Sequence, residues 1–336
     1  MSLNTLEEIA SYIVSDGKGI LAADESNPTC TKRFDTIGVE STEESRRDYR
    51  EMLFRSGGIQ GNIGGVILFD ETIRQNAKDG TSLVDLMNSQ GAVPGIKVDK
   101  GLQPIGDSDE TVTVGLDGLD ERLKEYSLLG AKFTKWRAVI KIGNNLPTDN
   151  CIDANMKALA DYAKVVQDNG MVPMVEPEVL MEGDHSIEEC FTATERSLKS
   201  LFHHLKEYGV NIKGTILKPN MVTSGSTCSN QASIDEVAQQ TLECLKANVP
   251  SELPAITFLS GGQSELLATA HLDAMNKIGG FDWKLSFSFG RALQAPTLKA
   301  WMGKPENVFI AQDALSHRAK MNQLAALGQW DKGLED

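Results

Sequence analysis

The chain has 336 residues, 40% hydrophobic and 24% charged, enough to bury a large core as two ordinary domains or as one large α/β barrel. A formal net charge of −14 and a pI near 4.9 argue against a general nucleic-acid or membrane-surface role, so neither is expected as a partner. No stretch is long and apolar enough to span a bilayer, and the opening MSLNTLEEIASYIVSDGKG lacks a basic region, an apolar signal core and a cleavage pattern; the expected compartment is the cytoplasm, or a plastid stroma if a transit peptide has been removed.

Along the chain, short apolar runs alternate with segments of helical period. Strands are expected at 19–24 (GILAAD), 64–70 (GGVILFD), 93–99 (VPGIKVD), 133–141 (FTKWRAVIK), 171–177 (MVPMVEP), 214–219 (GTILKP), 255–262 (AITFLSGG) and 284–290 (KLSFSFG). Between them, Ser41 and Glu44 read as a capping box ahead of Tyr49, Met52 and Leu53, and Ser233 and Glu236 as another ahead of Val237, Thr241 and Leu242. From Ile187, apolar positions recur at threes and fours through Leu198, Leu201, Leu205 and Tyr208 until Gly209. Helix-compatible sequence also fills 148–170, 263–278 and a C-terminal segment at about 295–328. No proline-rich linker or charge block marks a boundary, so the expectation is an α/β fold, a (β/α)8 TIM barrel forming a single domain over 1–336, with a doubly wound open sheet as the competitor.

Cysteine and histidine add little. The five cysteines form no C-x-x-C pair and suit reduced thiols, and no zinc site is written in their spacing. His203 and His204, adjacent on an expected helix, should point different ways, while His185, His271 and His317 lie far apart and read as ordinary surface or core residues. No metal or cofactor is expected.

In such barrels the functional groups sit at the C-terminal ends of the strands. Here nearly every expected strand ends in a polar or charged residue: Asp24, Asp70, Lys97 with Asp99, Lys135 with Arg137, Glu176 with Glu178, Lys218, Ser260, and Arg291 just beyond the last. Residues two apart share a face, so Lys135 projects with Arg137 and Glu176 with Glu178. A single such residue is accounted for by a salt bridge closing the barrel end; a ring of them describes a site.

Lys218, placed directly before Pro219, is the informative member. Taken alone it is a lysine whose stem packs on the sheet while its head reaches water. Apolar surroundings and a neighbouring cation such as Lys135 disfavour the charged form and leave a free amine, able to attack a ketone and form an iminium that draws electrons from the adjacent carbon–carbon bond. The required proton transfers suit the carboxylates of Glu176, Glu178 and Asp24. FLSGGQS (258–264) and FSFGRALQ (287–294) put Ser260, Gly261, Gly290 and Arg291 where backbone N–H groups surround an anion at a helix start, as in the phosphate loops of many barrels.

These stretches, together with GKGILAADES (17–26), GGVILFDET (64–72), GIKVDKG (95–101), AKFTKWRAVIKIG (131–143), VPMVEPE (172–178), LKPNMV (217–222) and FGRALQAPTLKAW (289–301), resemble class I fructose-1,6-bisphosphate aldolase, in order and at compatible spacing from about residue 9 to residue 328. The resemblance implies metal-free, reversible cleavage of fructose 1,6-bisphosphate to dihydroxyacetone phosphate and glyceraldehyde 3-phosphate, in glycolysis or gluconeogenesis, by a homotetramer. It implies that Lys218 forms the Schiff base, that Glu176 is the acid/base for iminium formation and hydrolysis, and that Glu178 orients and balances the lysines. Lys135 becomes the second lysine of the site, Asp24 the carboxylate nearest the bond that breaks, and Arg137 a substrate contact. Ser260, Gly261, Gly290, Arg291 and Arg33 resemble the site for the ketone-side phosphate, and Ser26, Thr29 and Lys97 the contacts at the other.

The chain departs from the family at two places. Relatives usually carry a C-terminal tail ending in tyrosine that helps exchange a proton at the enamine carbon; this sequence ends GQWDKGLED and its last tyrosine is Tyr208, so either the sequence is shortened or another group makes that transfer, no residue is assigned to the step, and slower exchange than in tailed relatives is expected. Thr29 stands where serine is commoner, keeping the hydroxyl and adding a methyl. The rival readings are another Schiff-base sugar-phosphate lyase or transferase, such as a transaldolase, which would not need two phosphate sites, and a binding or scaffold role on the same fold with a cytoskeletal or assembly partner.

Overall fold

The computed structural model describes residues 3–335. Its strands are β1 (Gly19–Ala23), β2 (Ile63–Leu68), β3 (Val93–Lys97), β4 (Leu102–Pro104), β5 (Thr111–Thr113), β6 (Phe133–Ile140), β7 (Val172–Val179), β8 (Ile216–Leu217), β9 (Ala255–Phe258) and β10 (Lys284–Phe289). Eight of them form a closed parallel barrel in the order β1-β10-β9-β8-β7-β6-β3-β2, while β4 and β5 pair separately as an antiparallel hairpin. Each expected strand supplies one stave. The pairing of Ile20 with Ser288 closes the ring and excludes the open sheet.

The strands read as unbroken apolar runs because both faces are covered. Alternate residues divide between two cores. Ile20, Ala22, Phe133, Val172, Met174, Ile216 and Ala255 fill the interior of the barrel. Leu21, Ala23, Trp136, Val175 and Leu217 face the surrounding helices. Inside, Phe133 occupies the room left by Gly95, where an added Cβ would lie 2.3 Å from its ring. The helix Leu6–Ile13, capped by Thr5 and Glu8, buries Ile9, Ala10 and Ile13 against the same interior cluster. Ile13 presses so close to Gly64, at the start of β2, that a Cβ there would sit 2.0 Å from its carbonyl oxygen. The N-terminal end of the barrel is thereby plugged.

Outer helices follow the expected pattern, with two corrections. The helix Glu43–Phe54 is capped by Thr42 and Ser45 rather than by Ser41 and Glu44, since Ser41 instead accepts from the Arg46 guanidinium. The C-terminal segment is two helices, Arg291–Trp301 and Val308–Ala326, separated where Met302 takes a left-handed conformation ahead of Gly303 and Pro305. Ser233 and Glu236 do form the capping box of Ile234–Asn248, and Ser186 with Glu189 caps Ile187–Glu207 in the same way. Among the described residues no helix is long and apolar enough to cross a membrane.

Candidate active site

The inward rows of the strands are apolar at the plugged end and turn ionic at the other. On β1 the row runs Ile20, Ala22, then Asp24; on β6, Phe133, then Lys135 and Arg137; on β7, Val172, Met174, then Glu176 and Glu178; on β8, Ile216, then Lys218. The chain therefore delivers its charged groups to one mouth by strand parity alone. There they line a cleft of about 300 Å³, shared with Ser26, Thr29, Arg33, Lys97, Ser260, Gly261, Gly290 and Arg291. Every residue singled out by sequence for catalysis or phosphate contact lies on this cleft.

Glu176 is the hub. Its Oε1 lies 2.9 Å from Lys218 Nζ and its Oε2 lies 3.0 Å from Lys135 Nζ, all three side chains being almost wholly buried. The Lys218 backbone N–H donates to the Val175 carbonyl at 2.8 Å, which fixes where the side chain leaves the barrel wall. Lys135 Nζ also donates to Asp24 Oδ2 at 3.1 Å. Burial pushes the Asp24 carboxyl up, but the charges of Lys135 and Lys218 outweigh it and hold the group at about 2. Burial likewise opposes ionisation of Glu176, and Lys135, Lys218 and Arg137 together still lower it. For Lys135, desolvation is overcome by Asp24 and Glu176, so it keeps its proton more firmly than a free lysine.

One expectation is corrected by this geometry. Glu178 pairs with the Arg137 guanidinium and not with a lysine, so Glu176 is the carboxylate that balances both amines. Arg137 holds its charge more firmly than usual: burial opposes it, and Glu178 prevails. Lys97 is tied down at the cleft edge by the Asp99 carboxylate at 2.7 Å. Asp70 stands apart from the ring of strand ends; it accepts from the Tyr126 hydroxyl at 2.9 Å and pairs with Arg74, outside the cleft.

The two loops expected to bind anions are built as their glycines require. Gly261 and Gly262 have φ of 60° and 100°, a left-handed pair after β9. Gly262 lies against the Arg291 guanidinium, whose Nη2 would be 3.4 Å from a Cβ placed there. Gly290 caps Arg291–Trp301 without a side-chain bond, leaving the helix start open to the cleft beside Arg33. Across the mouth, Ser26 precedes the helix Asn27–Asp35; its hydroxyl meets that of Thr29 at 3.1 Å and does not cap the helix.

Three supports were not legible as site residues. Glu25, buried beside the cleft, holds the Arg33 guanidinium and accepts from Gln294 at 2.8 Å, with Arg50 at 3.6 Å from its other oxygen. Gln263 donates to the Ser260 carbonyl at 3.0 Å, closing the phosphate-type loop on itself. Behind it, His271 Nδ1 lies 2.6 Å from Gln263 Oε1 in a buried setting that drives the imidazole down to about 4. His271 is thus the core histidine expected, with a task. Only the Gly-Gly-Gln run hinted at Gln263, and nothing in the sequence pairs it with a residue eight positions later.

Residues 5–336 match the family model described as fructose-bisphosphate aldolase class-I. The chain is 54% identical over 332 residues to a probable fructose-bisphosphate aldolase class 1 of Xanthomonas campestris, covering 98% of this chain and 99% of the relative. It is 51% identical over 321 residues to the cytosolic fructose-bisphosphate aldolase 4 of Arabidopsis thaliana, covering 95% and 82%. Its fold superposes, with a TM-score of 0.96 and 47% identity over 98% of this chain and 95% of the other, on fructose-bisphosphate aldolase from Plasmodium falciparum, solved in a complex with TRAP and a small-molecule inhibitor. Strand order, a lysine-bearing barrel mouth and similarity along nearly the whole length agree: the chain belongs to the class I fructose-bisphosphate aldolase family.

Proposed function

We propose that Lys218 is the Schiff-base nucleophile of this aldolase and that Glu176 moves the protons that make and unmake the imine. The carrying observation is the 2.9 Å contact between Lys218 Nζ and Glu176 Oε1 inside a buried site. The amine adds to the C2 carbonyl of the ketose; Glu176 returns a proton to the carbinolamine oxygen, which leaves as water and gives the iminium. Asp24, held ionised by Lys135, accepts the C4 hydroxyl proton as the C3–C4 bond breaks and its electron pair flows to the iminium nitrogen. Glyceraldehyde 3-phosphate leaves first. The resulting enamine takes a proton, and hydrolysis releases dihydroxyacetone phosphate and the free lysine.

Lys135, fixed between Asp24 and Glu176, supplies a standing positive charge that stabilises both carboxylates and the oxygen that departs. Arg137, oriented by Glu178, reaches the substrate hydroxyls. The ketone-side phosphate rests on Ser260, Gly261, Gly290, Arg291 and Arg33, and the far phosphate on Ser26, Thr29 and Lys97, which face one another across one cleft. The family resemblance makes the assembly a homotetramer; a place in the cytoplasm is supported by relatives that include one named as cytosolic.

Incubation with fructose 1,6-bisphosphate followed by borohydride and peptide mapping tests the assignment. A triose-phosphate adduct on Lys218 is expected; one on any other lysine overturns it.

A further inference from the structure

A polar cluster away from the cleft lies where the helices Asp149–Asp168 and Ile187–Glu207 pack together. His204 Nε2 is 2.8 Å from Asp153 Oδ1 and its Nδ1 is 3.2 Å from Glu207 Oε2. His203 Nε2 is 3.4 Å from Glu207 Oε1, and the two imidazole rings lie 5.4 Å apart. As expected of adjacent helix positions, the two histidines point into different surroundings, yet Glu207, three positions from one and four from the other, is within reach of both. His204 is nearly buried, while His203 and Glu207 face solvent.

A neutral imidazole has one N–H. If His204 donates it from Nε2 to Asp153, its Nδ1 turns a lone pair toward a carboxylate oxygen, and positive charge must lie between them. Protons alone satisfy the three contacts only if His204 carries two of them, an imidazolium in a nearly buried position, while His203 donates its one N–H to Glu207. One dication satisfies both rings at once. One donor atom from each of His203, His204 and Glu207 lies within 4.8 Å of the other two, and each ring nitrogen has its own Glu207 oxygen, at 3.2 and 3.4 Å, close to the about 3.3–3.6 Å between ligands held at about 2.0–2.2 Å around a tetrahedral ion. Asp153 behind His204 is the carboxylate–histidine arrangement that fixes a ligand's tautomer. The cluster also occupies the last turn of its helix, whose terminus favours cations.

We propose that His203, His204 and Glu207 bind one divalent transition-metal ion of the zinc or copper class, with Asp153 orienting His204 and water completing the shell. Imidazole donors favour these ions over magnesium or calcium. None of the four residues lines the catalytic cleft, so the site is separate from the aldol chemistry.

The test is calorimetric titration of the chelator-treated full chain with zinc chloride. One saturable site is expected, abolished in the double variant His203→Ala/His204→Ala and weakened about ten- to a hundredfold in Asp153→Asn. Aldol cleavage should be unchanged in both variants before zinc is added, which also shows that they fold. No saturable binding by the wild type, or binding retained by the double variant, overturns the proposal; wild-type affinity in Asp153→Asn removes Asp153 from it.

Discussion

Lys218 Nζ and Glu176 Oε1 lie 2.9 Å apart, in a pair whose side chains are only 5% and 4% exposed. A buried ion pair of this kind is weak ground for stability, since desolvation offsets much of the attraction. In the proposed mechanism its value is chemical: the amine and the carboxylate assigned to carry its protons are already in contact before substrate arrives.

Replacing the carrier isolates that contribution. Glu176→Gln keeps the shape and removes the charge and the titrating oxygen. Its kcat should fall by about 10²–10⁴, the range for losing a positioned acid/base. Imine formation should slow with it, measured as the rate of borohydride-trappable adduct under single-turnover conditions. A variant that forms imine at the wild-type rate would move the proton transfer to another group.

Lys135→Met tests the standing charge. Without it Asp24 loses its ammonium partner and Glu176 keeps only the one on Lys218. A kcat loss of at least about 10²-fold is expected, the scale for removing one electrostatic stabiliser, with an unchanged far-ultraviolet dichroism spectrum. Near-normal turnover would take Lys135 out of the site.

The barrel and its ring of charges were legible because buried parallel strands are written as continuous apolar runs and strand parity is strictly two. Parity could place Glu176 and Glu178 on one face, yet it could not divide their work; that depends on how far Lys135 and Arg137 reach across from β6. The cap at Thr42 was missed because serine and threonine stand side by side and local sequence gives both the right chemistry. The hairpin of β4 and β5 is short and mostly solvent-facing, so it left no apolar signal. At β8 the sequence promised more than the fold delivers: a strand was expected over 214–219, but only Ile216–Leu217 pairs regularly, and Pro219 contributes a carbonyl but no N–H.

Gly95→Ala probes the packing beneath the site. The new methyl would sit 2.3 Å from the Phe133 ring inside the barrel, where both are enclosed. Overpacking of this kind costs about 1–3 kcal/mol. Urea unfolding should show the midpoint lowered with an unchanged slope, and a further Phe133→Leu substitution should recover part of the loss. An unchanged midpoint would mean that the ring moves freely.

His271 is the most specific support the structure reveals. Its Nδ1–H reaches Gln263, whose amide in turn holds the Ser260 carbonyl of the phosphate-type loop. His271→Ala leaves a buried acceptor unpaired, at about 1–3 kcal/mol. If about 1 kcal/mol of that reaches the loop, KM for fructose 1,6-bisphosphate rises roughly fivefold, with kcat much less affected. His271→Asn, which can restore a donor, should recover most of the affinity. The same residue predicts a pH effect. Burial lowers its folded value to about 4 from an ordinary 6.5, so the unfolded chain binds the proton first as pH falls. The stability this linkage contributes is complete above about pH 6.5 and is lost on descent through about pH 4, on the order of 3 kcal/mol. Wild type should therefore lose that much more stability than His271→Asn between pH 7 and pH 4 in parallel urea titrations; equal losses would mean that His271 is protonated in the native fold.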